Sequence, residues 1–179
     1  MRITMRFLVA AVLAVFISIA SAADNPVLHT DALTLVFTPG WKVTQGPHRA
    51  EGRGAEGEFL IVSHVTLAPD APADAVEHHW KTVNGFANDK MPGIATSHEN
   101  TVRRPLTKTE LPDGRVQFST VSQGKKLFRD YYFLQYLLAS SRSLVYMTVE
   151  GYGNAEEAAQ RFEQVLATQQ WHEQKIQND

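Results

Sequence analysis

Histidines are the residues of this sequence best suited to site chemistry, because imidazole titrates near neutral pH and binds transition metals. The chain has seven of them. A composite metal site of His64, His79 and His98 would require the fold to bring three separate segments together. His78 and His79 are neighbours on a predicted helix, where adjacent side chains diverge by about 100° and do not chelate one ion as a pair. Packing and surface roles are favoured, so we expect no metal and no cofactor.

A second motif is Gly52-Arg-Gly-Ala-Glu-Gly57, which spells the G-x-G-x-x-G pattern of dinucleotide-binding loops. That chemistry requires the glycines to lie between a strand and the N-terminus of a helix, whose free N–H groups hold the pyrophosphate. The next predicted element here is a strand, and no Gly-Lys-Ser/Thr follows. The motif therefore predicts a flexible loop without a nucleotide.

The same stretch is the predicted recognition surface. Residues 46–57 are polar and contain four glycines, which favours a loop. Loops carried by a rigid sheet often contact partners. We therefore expect His48, Arg49, Arg53 and Glu56 to bind a partner protein.

No other cluster indicates catalysis. The sequence has no cysteine and no G-x-S-x-G elbow, and its 19 acidic residues single out no carboxylate pair. The run from Lys125 to Arg129 interleaves basic and apolar residues, as sites for nucleic acid or anionic lipid do, but Asp130 interrupts it. We expect Lys125 and Lys126 to solubilise a turn and Phe128 to pack in the core. Neither an enzyme nor a nucleic-acid binder is expected.

The alternation of apolar residues and the positions of turn residues predict the strands that would position these side chains. They are predicted at residues 33–37, 41–44, 58–67, 116–121, 127–138 and 144–149, with a further strand within 95–111. The first two are expected to form a hairpin across Pro39-Gly40. Gln123-Gly124 is expected to turn the chain before the long strand at 127–138.

Two helices complete the predicted order. The first has Pro72 in its first turn, runs to about residue 88, and is expected to stop before Met91-Pro-Gly93. The second, at 155–166, is capped by Asn154, and its apolar stripe includes Phe162. The order β-β-β-α-β-β-β-β-α predicts an α+β sandwich around an antiparallel sheet.

The N-terminus carries the features of a secretory signal peptide. Arg2 and Arg6 precede an apolar run and the small residues Ala20-Ser-Ala22, so residues 1–22 are expected to be cleaved. Residues 23–179 would remain as one domain, with 15 basic and 19 acidic residues and a formal net charge of −4 instead of −2. We expect a periplasmic protein, or secondarily a secreted one. Without cysteine it would have neither disulfides nor a lipid anchor.

The sequence resembles the PsbP-like group, which includes the photosystem II extrinsic protein and DcrB-type bacterial envelope proteins. The resemblance rests on Leu35-Val-Phe-Thr-Pro-Gly-Trp41, on the order of elements, and on the final strand and helix followed by Trp171; it covers about residues 33–171. It implies a three-layer α/β/α sandwich around a largely antiparallel sheet. It also implies a binding module with no common catalytic set. The missing cysteine departs from the lipid-anchored DcrB-type members.

These observations lead to one expected function and two alternatives. The expected function is a non-enzymatic, periplasmic protein-interaction module, monomeric or dimeric, that binds another protein of the cell envelope and has no membrane anchor after cleavage. The first alternative is an immunity protein that blocks a secreted toxin. The second is a small-ligand or metal-binding protein that uses the groove near His64 and His79.

Overall fold

The computed structural model describes residues 25–97, 100–111 and 113–172. The predicted signal peptide therefore lies outside the described residues, as does His98. In these ranges the strands are β1 Val27–His29, β2 Leu33–Val36, β3 Lys42–Gln45, β4 Arg49–Arg53, β5 Phe59–Thr66, β6 Thr101–Glu110, β7 Val116–Lys126, β8 Arg129–Ala139, β9 Ser143–Tyr152 and β10 Gln170–Trp171. The helices are α1 Ala73–Gly85, α2 Met91–Ala95 and α3 Ala155–Leu166, with a π-helical turn at Phe86–Lys90 between the first two.

The strands form two antiparallel sheets. The larger has the order β3-β4-β5-β9-β8-β7-β6, and the smaller has the order β1-β2-β10. The predicted hairpin of β2 with β3 is wrong, because these strands belong to different sheets. The turn at Pro39-Gly40, where Gly40 has a φ of +98°, redirects the chain from the small sheet into the large one.

Helices cover both faces of the large sheet. Along β8, Tyr136 and Leu138 join the buried cluster that contains Phe162 of α3. Leu137 lies between them and joins a second cluster with Val83 of α1. Successive side chains of a strand point to opposite faces, so the two clusters lie on opposite sides of the sheet. The mixed α+β architecture is therefore confirmed.

The last helix follows its sequence signals. The Asn154 side chain accepts hydrogen bonds from the backbone N–H groups of Glu156 at 2.8 Å and Glu157 at 3.3 Å. These bonds satisfy donors that the first helical turn leaves free. The buried residues of α3 are Ala155, Ala158, Ala159, Phe162, Val165 and Leu166. The predicted cap and apolar stripe are both confirmed.

The first helical segment extends beyond its predicted end. Met91-Pro-Gly93 begins α2 instead of stopping the helix. The N–H of Met91 bonds to the carbonyl of Phe86, five residues back, so the backbone widens into a π-turn before Pro92. Proline is tolerated in the first turn of a helix because the backbone N–H that it lacks would have no acceptor within the helix. The Met91 carbonyl accepts a hydrogen bond from the fully buried Gln135 at 3.0 Å, which holds this segment on the sheet.

Three strands were not predicted. Residues 46–57 were expected to form a loop, but Arg49–Arg53 is β4, paired with both β3 and β5. Its buried positions are Ala50 and Gly52, which are too small to produce an apolar alternation in the sequence. The other two, β1 and β10, have only three and two residues. The observed order therefore differs from β-β-β-α-β-β-β-β-α.

None of the helices in the described ranges combines the length and apolarity needed to cross a membrane.

Candidate docking site

The histidines proposed for a metal site do not come together. His64 lies on β5 in the same alternation as Leu60 and Val62, whose side chains belong to the α3 face. His79 lies on α1, which packs on the other face. His98 is outside the described residues. Among the residues that the structure describes, no three His, Cys, Asp or Glu side chains are placed to hold a metal ion.

Both buried histidines have packing roles. Burial lowers the pKa of His64, whose ring centroid lies 6.2 Å from that of His48; Asp31 opposes this shift. Burial also lowers the pKa of His79, whose Nε2 donates to the carbonyl of Ser140 at 3.1 Å. Burial therefore favours the neutral form of both side chains.

One histidine pair was missed in the sequence. The rings of His29 and His172 lie 4.5 Å apart, and both bond to the Thr34 hydroxyl at 2.8 Å. The two residues are far apart in the chain and meet only because β1 and β10 flank β2. No periodicity in the sequence signals this contact.

The residues predicted to bind a partner are exposed and engaged in local contacts. Arg49 pairs with Glu51 at 2.9 Å, and the Arg53 guanidinium lies 4.1 Å from the centroid of the Phe59 ring. Glu56 lies 3.2 Å from Arg161 of α3. His48 faces His64 as described above. Their role in partner binding stays a prediction.

The glycine motif has a structural explanation. A Cβ at Gly52 would lie 3.2 Å from the Trp41 ring, and one at Gly54 would lie 2.9 Å from Glu58 Cδ. Gly57 has a φ of +87°, which side-chain-bearing residues rarely adopt. Two of these glycines make room for neighbouring side chains, and the third forms a turn.

The most unusual surface feature is the turn between β7 and β8. Leu127 is 79% exposed and Phe128 is 99% exposed, which makes them the two most exposed large apolar side chains in the described part of the chain. Phe128 was expected to pack in the core, and that expectation is wrong. Both residues have positive φ, 54° and 63°, in a two-residue turn that normally uses Asn and Gly.

This turn lies four residues later in the chain than the sequence predicts. The sequence predicts the turn at Gln123-Gly124, but both residues lie within β7. A Cβ at Gly124 would overlap the side chain of Asn100, so glycine is required there for close packing and not for a turn. The usable signal in the sequence was the pair of apolar residues between Lys126 and Arg129.

The tip of the hairpin extends beyond its neighbours. The last pair between β7 and β6 is Gln123 with Thr101, and the last pair between β8 and β9 is Tyr131 with Tyr152. The ladder of β7 and β8 continues past these points to Lys126 and Arg129. Leu127 and Phe128 therefore stand clear of the sheet.

The base of the hairpin is held by cations on aromatic rings. Lys126 Nζ lies 4.7 Å from the centroid of the Tyr131 ring, and Arg129 Cζ lies 4.4 Å from that of Tyr152. The two tyrosine rings meet edge to face at 5.4 Å. Burial raises the pKa of Tyr131, whose hydroxyl donates to Glu150. A neutral tyrosine thus bonds to the carboxylate and stiffens the base of the tip.

A groove lies beside the tip. Its volume is about 580 Å³, within the range of ligand sites. One wall comes from the hairpin, including Lys125 and Leu127, and another from the end of the helical segment, including Ile94. Glu150 and Tyr131 contribute polar groups. The site thus combines a convex apolar tip with a concave, mixed-polarity groove.

Comparison with known proteins supports the fold alone. No protein-family model matches the chain, and no curated protein does. The solution structure of cyanobacterial PsbP (CyanoP) from Synechocystis sp. PCC 6803 is 14% identical, with 86% of this chain and 95% of that chain covered and a TM-score of 0.52. A crystal structure from Bacteroides thetaiotaomicron VPI-5482 is 8% identical, with a TM-score of 0.49. That match covers 79% of this chain and 46% of that chain. The fold is PsbP-like.

Proposed function

We propose that this protein is a non-enzymatic docking module of the cell envelope that binds another protein through Leu127 and Phe128. In this proposal residues 1–22 are removed on export, and the rest acts in the periplasm or, secondarily, outside the cell. It would be a relative of the DcrB-type proteins, built as a three-layer α/β/α sandwich. The observation that carries the proposal is the exposed apolar turn with two positive φ angles.

The energetics of this turn favour a binding role. A left-handed conformation costs a residue with a side chain about 1–2 kcal/mol, and Asn-Gly would avoid most of that cost. Burying an apolar side chain of this size in a partner returns roughly 1.5–3 kcal/mol. Leu127 and Phe128 therefore weaken the isolated chain and stabilise a complex.

The charges around the tip indicate what the partner looks like. Lys125, Lys126 and Arg129 are exposed beside the two apolar residues, with Asp130 as the one acidic neighbour in this run. A complementary partner has an apolar pocket with an acidic rim. Charge complementarity of this kind raises association rates and excludes other partners.

The groove favours a protein partner over a lipid surface. A flat anionic membrane would contact the protruding tip and its basic residues but would not enter the groove of about 580 Å³. Glu150 also lines that groove and would repel anionic lipid. A folded partner is able to fill the groove and receive the tip at once.

Photo-crosslinking tests the proposal. A benzophenone amino acid at position 128 is expected to crosslink one envelope protein in cells, and the identified partner is then purified. The variant Leu127→Asn/Phe128→Gly keeps a favourable turn and is expected to weaken binding of that partner at least ten-fold. If the partner is a toxin from a neighbouring gene, the immunity alternative is supported.

Val65→Asn is the matched control, because Val65 is also an exposed apolar residue, at 57%, but lies on β5. It should leave affinity unchanged. Undiminished binding by the double variant would refute the role of the tip. Cosedimentation with anionic vesicles, without any crosslinked protein, would assign the tip to lipid and refute the protein partner.

A further inference from the structure

A second cavity lies against α3 and shares no lining residue with the groove beside the hairpin. Its volume is about 190 Å³. The residues that matter for its chemistry are Trp41, Glu56, Glu58, Tyr132, Arg161 and Phe162. Three aromatic side chains, two carboxylates and one guanidinium therefore face one small space.

The charges in this cavity are unbalanced. The Glu58 side chain is only 10% exposed, yet its Oε1 lies 3.5 Å from Arg161 Nη2. The same nitrogen lies 3.2 Å from Glu56 Oε2. Close ion pairs usually have separations of about 2.7–2.9 Å. One guanidinium is thus shared loosely by two carboxylates, which leaves a net negative charge.

The walls are aromatic. The Trp41 ring centroid lies 5.1 Å from that of Phe37 and 6.4 Å from that of Phe162. Burial, and secondarily the charge of Glu58, raises the pKa of Tyr132 to about 12, so its hydroxyl stays neutral. The faces of aromatic rings attract cations, most strongly where water is excluded.

Three glycines make room for the lining side chains. The Gly52 and Gly54 contacts described above place backbone against Trp41 and Glu58. On the sheet side, a Cβ at Gly151 would lie 2.7 Å from Tyr132 Cζ. A side chain at Gly54 or Gly151 would displace a lining group, and one at Gly52 would crowd Trp41.

We propose that this cavity binds the ammonium or guanidinium head of an organic cation. Glu58 supplies the opposite charge, and Trp41 and Phe162 supply the walls. Sites for drug-sized ligands measure about 300–1,000 Å³, so this smaller space fits a single basic side chain or a small free amine. Arg161 is the internal competitor, because it already lies beside both carboxylates.

Ligands of similar size and different charge test the proposal on the unaltered protein. Butylammonium, butylguanidinium, 1-pentanol and glutarate are titrated while the indole N–H signal of Trp41 is followed by NMR. Trp80 and Trp171, which do not line the cavity, are internal references. Both cations are expected to shift the Trp41 signal and to bind at least ten-fold more tightly than 1-pentanol. Equal binding of 1-pentanol, or binding of glutarate in place of the cations, would overturn the proposal.

Two variants then separate the roles of the charges. Glu58→Gln is expected to weaken butylguanidinium binding at least ten-fold, whereas Arg161→Gln is expected to strengthen it several-fold by removing the competitor. The exposed Glu157 is on the same helix outside the cavity, so Glu157→Gln is the matched control and should change nothing. Loss of cation binding in a folded Arg161→Gln variant would contradict the model of competition. If Glu58→Gln does not fold, the comparison of ligands on the unaltered protein decides the question.

A peptide identifies the source of the cation. The tripeptide Gly-Arg-Gly, blocked at both ends, is compared with butylguanidinium. Peptide binding that is equal or tighter assigns the cavity to a basic side chain of a polypeptide. Binding of butylguanidinium alone assigns it to a free amine or guanidine. Absence of binding by both refutes the site.

Discussion

Two hairpin turns of the large sheet meet the same conformational demand in opposite ways. The β4–β5 turn has a glycine, Gly57, at its positive φ, and its backbone is closed by hydrogen bonds from Gly54 to Glu58 and from Gly57 to Gly54. The β7–β8 turn has Leu127 and Phe128 at its positive φ angles. The first turn contacts Arg161 of α3 through Glu56 and Glu58, and the second projects apolar side chains into solvent.

This difference bears on which of the two turns is the better candidate for binding a partner. Glycine adopts positive φ at little cost, so it is expected wherever only the course of the chain matters. Leu127 and Phe128 cannot be explained in this way, because both have side chains and both adopt positive φ. Strained backbone that persists in a structure is an indication of function. We therefore propose the β7–β8 turn as the recognition surface, while partner binding by the glycine-rich segment stays a prediction.

The largest expected effect lies in the glycine turn. Gly54→Ala is expected to lower the free energy of unfolding by about 2–3 kcal/mol, because a Cβ there crowds the nearly buried Glu58. Gly57→Ala should cost only about 1 kcal/mol, since its Cβ would meet nothing within 4 Å and only the positive φ is penalised. Urea denaturation measures both. A larger loss for Gly57→Ala would show that the contact at Gly54 relaxes freely.

A gain of stability is expected at the other turn. Leu127→Asn/Phe128→Gly should raise the free energy of unfolding by about 1–2 kcal/mol, because both new residues tolerate positive φ. Leu127→Ser/Phe128→Ser removes the apolar surface but retains the strain, so it is the control and should give no such gain. Equal unfolding free energies for the two double variants would show that the positive φ angles of Leu127 and Phe128 do not destabilise the fold.

Acid is expected to act where His64 of β5 and His79 of α1 are buried, and to spare the β7–β8 tip. The pKa values of His64 and His79 are lowered by burial below the ordinary 6.5, so the unfolded chain takes up protons that the folded chain excludes. Stability is complete above pH 6.5 and falls as the pH drops from there through the folded pKa values. Hydrogen exchange should accelerate in β5 before it does in β7.

His64→Gln removes one of these protonation sites and should reduce the loss of stability in acid. The exposed His78 provides the matched control, His78→Gln, which should leave the acid response unchanged. A response that is identical in all three proteins would exclude His64 as a source of the acid sensitivity.

Much of the fold was predictable where a local signal and the tertiary packing agree. Asn154 and the stripe through Phe162 are local signals, and α3 follows them. In β4 the buried positions are Ala50 and Gly52. Because these residues are small, the strand lacks the alternation of large apolar residues by which other strands were predicted. Pro92 would normally end a helix, but the helical segment continues through it because a π-turn at Phe86–Lys90 comes before it.

The candidate site was less predictable because it depends on the ends of strands. Gly124 resembles a turn residue, although its small size serves the contact with Asn100. A turn predicted at Gln123-Gly124 is four residues too early, and it places Phe128 in a strand that packs in the core. Whether His64 and His79 share a site depends on which face of the sheet each one occupies, and this is settled only when β5 and α1 are placed.

The small sheet has a consequence for the order of folding. Its central strand, β2, is completed on one side by β1 and on the other by β10, and the Thr34 hydroxyl bonds to His172 across 138 positions of sequence. Contacts so distant in sequence form slowly, because the chain must first close a long loop. A nascent chain has both edges of β2 covered only after Gln170 and Trp171 have been synthesised. The small sheet, whose Leu33 and Leu35 are fully buried, is therefore completed by a strand that is made more than 130 residues after its centre.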